Sequence, residues 1–213
     1  MTHSFNSFFD KIYVITCSSF LDRHIYIKDH FHKNNINFKF FVSIDNTLFN
    51  ESIISNTEMS LAISHLHCVI DAKLNGYNSI LICEDDIEFI SNVEEKFIQF
   101  IKEVPIDWNF LQIGNQFWAD KWLRRKHISE NLYKFEWGTG SHCVGINFNS
   151  YDMLIDRFKK LDMPVDFMYY DLFSRLNCYC PEKFLADALS KNNHLDHYDE
   201  KYIFNSTIFH KNI

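Results

Sequence analysis

A chain of 213 residues fits one domain better than two, and it is long enough to bury a sizeable core. It holds 22 Phe and 10 Tyr but only 5 Gly, and these glycines form neither a Walker loop nor a dinucleotide fingerprint, so a glycine-lined phosphate loop is excluded. The net charge of −7, without a long basic run, disfavours nucleic acid as a partner, because such binding depends on clustered Lys and Arg.

The first half of the chain alternates between short apolar runs and segments of helical periodicity. Runs rich in β-branched residues predict strands, and apolar positions three and four apart predict amphipathic helices. The predicted strands are 10–16, 38–44, 79–83 and 108–113, and the predicted helices are 21–34, 58–74 and 93–104. This alternation predicts an α/β fold with a parallel sheet covered by helices on both faces.

The second half has a different pattern. Strands are predicted at 132–137 and 142–148 on either side of a turn at Gly138 and Gly140, and a helix is predicted at 150–160. A mixed segment follows to about residue 189, and a polar tail begins at 191. Because the sequence contains no repeat and no linker, we expect residues 1–213 to form a single domain.

The sequence also bears on location. No stretch is long and apolar enough to cross a bilayer, and the first residues lack the basic and apolar regions of a signal peptide. We therefore expect a cytoplasmic protein with reduced cysteines, for which peripheral membrane contact stays open.

Three consecutive carboxylates, Glu84, Asp85 and Asp86, follow the apolar strand at 79–83. Ligands of parallel sheets bind at the carboxyl ends of strands, where these side chains lie. Crowded carboxylates repel one another unless a cation lies among them, and hard oxygen ligands favour Mg²⁺ or Mn²⁺ over zinc. The alternative interpretation is a solvated acidic loop.

Further motifs occur in a fixed order around this triplet. An Asp22-Arg23 turn follows the first strand, an F-x-x-x-x-D segment ends at Asp45, and a G-E-x-G-C-A-L-S-H type of helix ends at Ser64 and His65. The later matches are P-x-D-W-D-x-L-x-L-G at 105–114, G-T-x-x-Y-x-I at 138–144 and P-V-D at 164–166. In this order and spacing the chain resembles glycosyltransferase family 25, the lipooligosaccharide and collagen-type galactosyl- or glucosyltransferases, over residues 10–190.

The resemblance implies a GT-A type fold, Rossmann-like, with a mostly parallel sheet flanked by helices. It further implies a UDP-sugar donor, UDP-galactose above all, Mn²⁺ dependence and transfer with inversion. Residues 10–115 would form the nucleotide-sugar half, residues 116–190 the acceptor half and residues 191–213 a tail. The chain departs from the pattern at Thr16 and Thr57, where the family has Asn and Gly, and this bears on the donor contacts.

Roles follow for the residues near the donor. We assign Asp86 as a metal ligand, Glu84 as a ligand or ribose contact and Asp85 as a contact of the donor sugar. Arg23 and Asp45 would face the nucleotide, although Arg23 is equally explained as a helix-start residue.

Inverting transfer needs a base on the face opposite the leaving group. Asp166 is the first candidate and Glu136 the second, and a helix N-cap is the alternative for Asp166. Ser64 and His65 are candidates for orienting the donor, with core packing as the alternative.

An aromatic group, Phe117, Trp118 and Trp122, is a candidate acceptor lip, for which packing is an equal explanation. A hexosyltransferase acting on a glycan or glycoprotein acceptor is therefore expected. A nucleotidyltransferase is disfavoured because no glycine-rich basic loop follows the first strand. A catalytically silent scaffold of the same fold that binds glycans or nucleotide sugars is the remaining alternative.

Overall fold

A computed structural model describes residues 4–49, 54–115, 123–138 and 140–189 of the chain. Its helices are α1 (Phe5–Phe8), α2 (Leu21–Lys33), α3 (Asn56–Asn75), α4 (Val93–Glu103), α5 (Tyr151–Phe158) and α6 (Val165–Phe173). Its strands are β1 (Lys11–Thr16), β2 (Lys39–Val42), β3 (Ser79–Glu84), β4 (Ile87–Phe89), β5 (Phe110–Gln112), β6 (Arg124–Ser129), β7 (Leu132–Trp137), β8 (Cys143–Asn147), β9 (Cys178–Pro181) and β10 (Ala186–Ala188).

Eight strands form one sheet in the order β2-β1-β3-β8-β5-β9-β7-β6, and β4 pairs with β10 in a small second sheet. The strand β1 is parallel to both β2 and β3, and β5 is parallel to β9. The strand β8 lies antiparallel between β3 and β5. The α/β class expected from the alternation in the first half is therefore confirmed, with an antiparallel strand inserted at the centre of the sheet.

Most of the predicted elements agree with the structure to within a few residues. The strands β4 and β6 and the short helix α1 were not predicted. The mixed segment that begins at Pro164 contains α6, β9 and β10. The predicted tail lies outside the described residues.

Helix α3 shows how local sequence sets an element's ends. The Ser55 hydroxyl accepts a hydrogen bond from the Glu58 N–H while the Glu58 carboxylate accepts one from the Ser55 N–H, a capping box that begins the helix at Asn56. Gly76 ends it in the left-handed region, at φ 69°, where glycine carries no steric cost.

Alternating side chains of the strands supply two hydrophobic clusters, one on each face of the sheet. On β1, Tyr13 and Ile15 belong to one cluster and Ile12 and Val14 to the other. Helices α3, α5 and α6 cover the first face, and α1, α2 and α4 cover the second. The described part of the chain contains no helix both long and apolar enough to cross a membrane.

Candidate active site

The acidic triplet lies at the carboxyl end of β3, beside the carboxyl end of β1. Glu84, the last residue of β3, is in register with Ile15, and its N–H donates to the carbonyl of His142, 3.0 Å away. The residues that precede β8 therefore come to the same edge as the triplet. The insertion of β8 between β3 and β5 is what brings them there.

Asp85 is buried and makes protein contacts through both carboxylate oxygens. Its Oδ1 lies 2.6 Å from Nη1 of Arg23, and its Oδ2 accepts a hydrogen bond from the Thr16 hydroxyl. Thr16 is the residue that replaces the family's Asn, so this departure supplies a donor to the triplet. The Arg23 side chain is still 40% exposed at this edge of the sheet.

Asp86 and Glu84 have the features of a cation site. Oδ1 of Asp86 is buried without a hydrogen-bond partner among the described residues, and Oδ2 lies 3.8 Å from Nη1 of Arg23. Oε1 of Glu84 accepts a 2.8 Å hydrogen bond from the Ser141 hydroxyl. Burial, and next the charge of Asp86, raise the pKa of Glu84 to about 8. Two carboxylates that are costly to ionise together would be relieved by a cation between them.

The donor set fits Mg²⁺ or Mn²⁺ rather than a metal held by protein ligands alone. The described residues contain no group of three or more His, Cys, Asp and Glu side chains arranged to hold a metal ion. Magnesium-like ions commonly use one or two carboxylates and complete their coordination with water and substrate phosphates. Glu84 and Asp86 supply that number of carboxylates.

Asp166 lies in the first turn of α6 and faces this edge of the sheet. Its carboxylate accepts hydrogen bonds from the N–H groups of Phe167 (3.0 Å) and Gly140, and its charge contributes to the raised pKa of Glu84. Burial raises the pKa of Asp166 itself. The N-cap position belongs to Pro164, so the alternative interpretation of Asp166 as an N-cap is not what the structure has.

The other predicted site residues lie apart from these carboxylates. Glu136 is exposed on β7, and no described hydrogen bond or ion pair links it to the triplet. Asp45 is exposed after β2, where it accepts hydrogen bonds from the N–H and hydroxyl of Thr47. These bonds lower the pKa of Asp45.

Ser64 and His65 are buried within α3. The Ser64 hydroxyl donates to the Ser60 carbonyl, and Nδ1 of His65 lies 3.0 Å from the Tyr169 hydroxyl. Burial lowers the pKa of His65 to about 3, so this side chain is neutral at physiological pH. Both positions have the contacts of core residues.

The sequence interpretation missed several residues that build the site. Ser141 and His142 are brought in by the β3–β8 pairing, and Gly114 packs so tightly against His142 that a Cβ would lie 2.7 Å from Nε2. The Gln112 side-chain amide donates to the carbonyls of Gly114 (2.6 Å) and Gly140 (2.7 Å), which holds the turn before β8 against the sheet. The predicted lip of Phe117, Trp118 and Trp122 lies outside the described residues.

Comparisons with known proteins bear on the family and on the fold. The model of glycosyltransferase family 25 (LPS biosynthesis protein) matches residues 9–169. A crystal structure of a glycosyltransferase involved in the glycosylation of the major capsid of PBCV-1 is similar with a TM-score of 0.54 at 9% identity, over 86% of this chain and 94% of that chain. UDP-glucose pyrophosphorylase complexed with UDP-glucose is similar with a TM-score of 0.44 at 10% identity, over 94% of this chain and 81% of that one.

A comparison with curated proteins finds no match. At such low identity the likeness to solved structures bears on the fold alone. Together with the sheet order, the likeness to the PBCV-1 glycosyltransferase confirms the GT-A type fold expected from the sequence.

Proposed function

The chain belongs to glycosyltransferase family 25 and is a glycosyltransferase, and from this premise we propose that it transfers a hexose from a UDP-sugar to a hydroxyl of a glycan or glycosylated protein. We propose galactose as the sugar, with glucose next, and inversion at the anomeric carbon. The observation that carries the proposal is the pair formed by Asp86, with an unpartnered buried oxygen, and Glu84, with a raised pKa, at the carboxyl end of β3.

Glu84 and Asp86 would hold Mn²⁺ or Mg²⁺, and the ion would supply charge stabilisation to the leaving diphosphate. This assignment also accounts for nucleotide binding by a chain without a glycine-lined loop. The Ser141 hydroxyl, 2.8 Å from Glu84, orients that carboxylate from the turn before β8.

Arg23 is proposed as the cation that contacts the donor directly. Asp85 pairs with the guanidinium and is itself held by the Thr16 hydroxyl, while the Arg23 side chain stays 40% exposed. In this account Asp85 acts on the donor sugar through Arg23, because both of its oxygens already have protein partners. Asp45, at the end of the neighbouring strand β2, is proposed to contact the nucleotide.

Asp166 is the proposed general base for the acceptor hydroxyl, ahead of Glu136. It approaches the triplet from α6, which covers the opposite face of the sheet from α2. Its raised pKa makes it a stronger proton acceptor than an ordinary carboxylate, while the N–H groups of Phe167 and Gly140 hold it in place.

The proposal is tested by thermal unfolding with UDP and MnCl₂ present together and separately. We expect a rise in Tm that needs both components, is lost in Asp86→Asn and is kept in Glu95→Gln, an exposed carboxylate on α4. No shift in the unaltered protein with Mn²⁺ or Mg²⁺ would contradict it. Binding without any hydrolysis of nucleotide sugars would favour the silent scaffold instead.

A further inference from the structure

Three side chains from separate elements converge beside the proposed base. Arg124 on β6 and Trp137 on β7 are cross-strand partners, so their side chains lie on the same face of the sheet. The Trp137 ring meets the ring of Tyr170 on α6 edge-on, with centroids 5.6 Å apart. We refer to Arg124, Trp137 and Tyr170 as the β6–α6 cluster.

The cluster lies next to Asp166. Asp166 and Tyr170 are four residues apart on α6, which places them on the same face, one turn from each other. The chain also links the two, because the N–H of Gly140, three residues after Trp137, donates to the Asp166 carboxylate. The cluster is therefore within reach of a sugar whose hydroxyl contacts Asp166.

Arg124 differs from its neighbour on β6, Arg125, in the contacts that its guanidinium makes. Arg125 donates to the carbonyls of Pro181 (3.0 Å) and Glu182 (2.6 Å) and stacks on Tyr133, so its guanidinium is already used by the fold. Arg124 is exposed, and no carboxylate of the described residues lies within ion-pair distance of it. Burial raises the pKa of Tyr170, and the charge of Arg124 opposes that rise, which indicates that the guanidinium field reaches the phenol.

We propose that the β6–α6 cluster is an acceptor subsite for a sugar ring that carries an anionic substituent, a carboxylate or a phosphate. The half-buried rings of Trp137 and Tyr170 would contact the apolar face of the sugar, and Arg124 would pair with the anion. The inference rests on the proposed function in one respect, the position of the acceptor relative to Asp166. It deepens that function by naming the chemical class of the acceptor.

Ligand binding without any donor tests the subsite. The dissociation constants of methyl β-D-glucoside, methyl β-D-glucuronide and methyl β-D-glucoside 6-phosphate are measured by NMR titration. We expect tighter binding of at least one anionic sugar by about five-fold, the contribution that a single exposed ion pair can reach. The anion that is preferred identifies whether the substituent is a carboxylate or a phosphate.

Two glutamine variants on β6 make the assignment specific. Arg124→Gln should abolish the preference for anionic sugars. Lys126→Gln should keep it, because Lys126 is the cross-strand partner of Lys134 and lies on the other face of the sheet. Trp137→Phe should weaken all three sugars alike. Equal binding of neutral and anionic sugars, or a preference that survives Arg124→Gln, would overturn the inference.

Hydrolysis of UDP-galactose, measured in parallel, separates this inference from the proposed function. Lys126→Gln, outside the cluster, should leave donor hydrolysis unchanged. If the unaltered protein hydrolyses no nucleotide sugar but Arg124 still selects the anionic sugar, the proposed function fails and the subsite stands. If hydrolysis is normal and no selection exists, the subsite fails and the function stands.

Discussion

Nη1 of Arg23 lies 2.6 Å from Oδ1 of Asp85, so helix α2, which follows β1, is joined to the residue that follows β3 at the carboxyl edge of the sheet. The same guanidinium nitrogen lies 3.8 Å from Asp86. Arg23 therefore balances part of the charge of the triplet while leaving Asp86 a free oxygen. Asp85 thus pairs with an arginine, while Glu84 and Asp86 are the two carboxylates that we propose bind a cation.

A double-mutant cycle should measure the Arg23–Asp85 interaction. We expect the unfolding free energies of Arg23→Gln, Asp85→Asn and the double variant to give a coupling of about 1 kcal/mol, kept small because the arginine is partly exposed. The Lys33–Asp29 pair of α2, 2.6 Å apart but largely exposed on both sides, is the control. Its coupling should stay below about 0.5 kcal/mol. Strict additivity for Arg23 and Asp85 would contradict the account.

Glu84 should make the stability of the metal-free protein depend on pH. Its pKa is raised to about 8 in the folded state from an ordinary 4.5, so between these values the folded state binds more protons than the unfolded state. The stabilisation is complete below pH 4.5 and is lost as pH rises through 8. In EDTA, unfolding curves of the unaltered protein should lose stability relative to Glu84→Gln by up to about 1.4 kcal/mol per pH unit. A constant difference between the two proteins across this window would count against the burial of Glu84.

Gly114→Ala should destabilise the fold through His142. The added Cβ would lie 2.7 Å from Nε2 of His142, directly before β8, and 2.9 Å from Cβ of Cys143, the first residue of β8. We expect a loss of about 1–3 kcal/mol in urea unfolding, the usual cost of overpacking. Gly76→Asn is the matched control, since nothing lies near its Cβ and Asn tolerates a φ of 69°. Equal stability of Gly114→Ala and the unaltered protein would contradict the tight packing of Gly114 against His142 and Cys143.

Asp166→Asn should separate binding from transfer. The amide keeps an oxygen for the N–H groups of Phe167 and Gly140 but cannot take the acceptor's proton. We expect donor binding to be unchanged and transfer to fall by about 100-fold or more, in line with the loss of a general base. The same change at Glu136, to Gln, should leave transfer near normal. Normal turnover in Asp166→Asn would contradict the assignment of Asp166 and leave Glu136 as the candidate base.

The parts of this molecule that depend on local sequence were predictable, and those that depend on strand pairing were not. Short apolar runs predict the strands β1 and β3, and three adjacent carboxylates mark the triplet at the carboxyl end of β3. The roles of Ser141 and His142 depend on β8 entering the sheet beside β3, a pairing between residues about sixty positions apart. No local pattern specifies such a partner.

Helix α3 illustrates the opposite difficulty. Its periodicity predicts the helix but does not distinguish a face that borders a cleft from one that lies in the core. The structure places Ser64 among the helix's own backbone groups and His65 against Tyr169 of α6. That α6 packs on this face is a tertiary fact, and it decides what these polar side chains contact.

The central claim is that carboxylates at the end of β3 bind a nucleotide sugar through a divalent cation. Its most direct test is the rate of UDP-galactose hydrolysis with and without Mn²⁺. The account predicts turnover that requires Mn²⁺ or Mg²⁺, falls by about 100-fold or more in Asp86→Asn and is unchanged in Glu95→Gln. Hydrolysis that proceeds equally in EDTA, or that Asp86→Asn leaves intact, would contradict it.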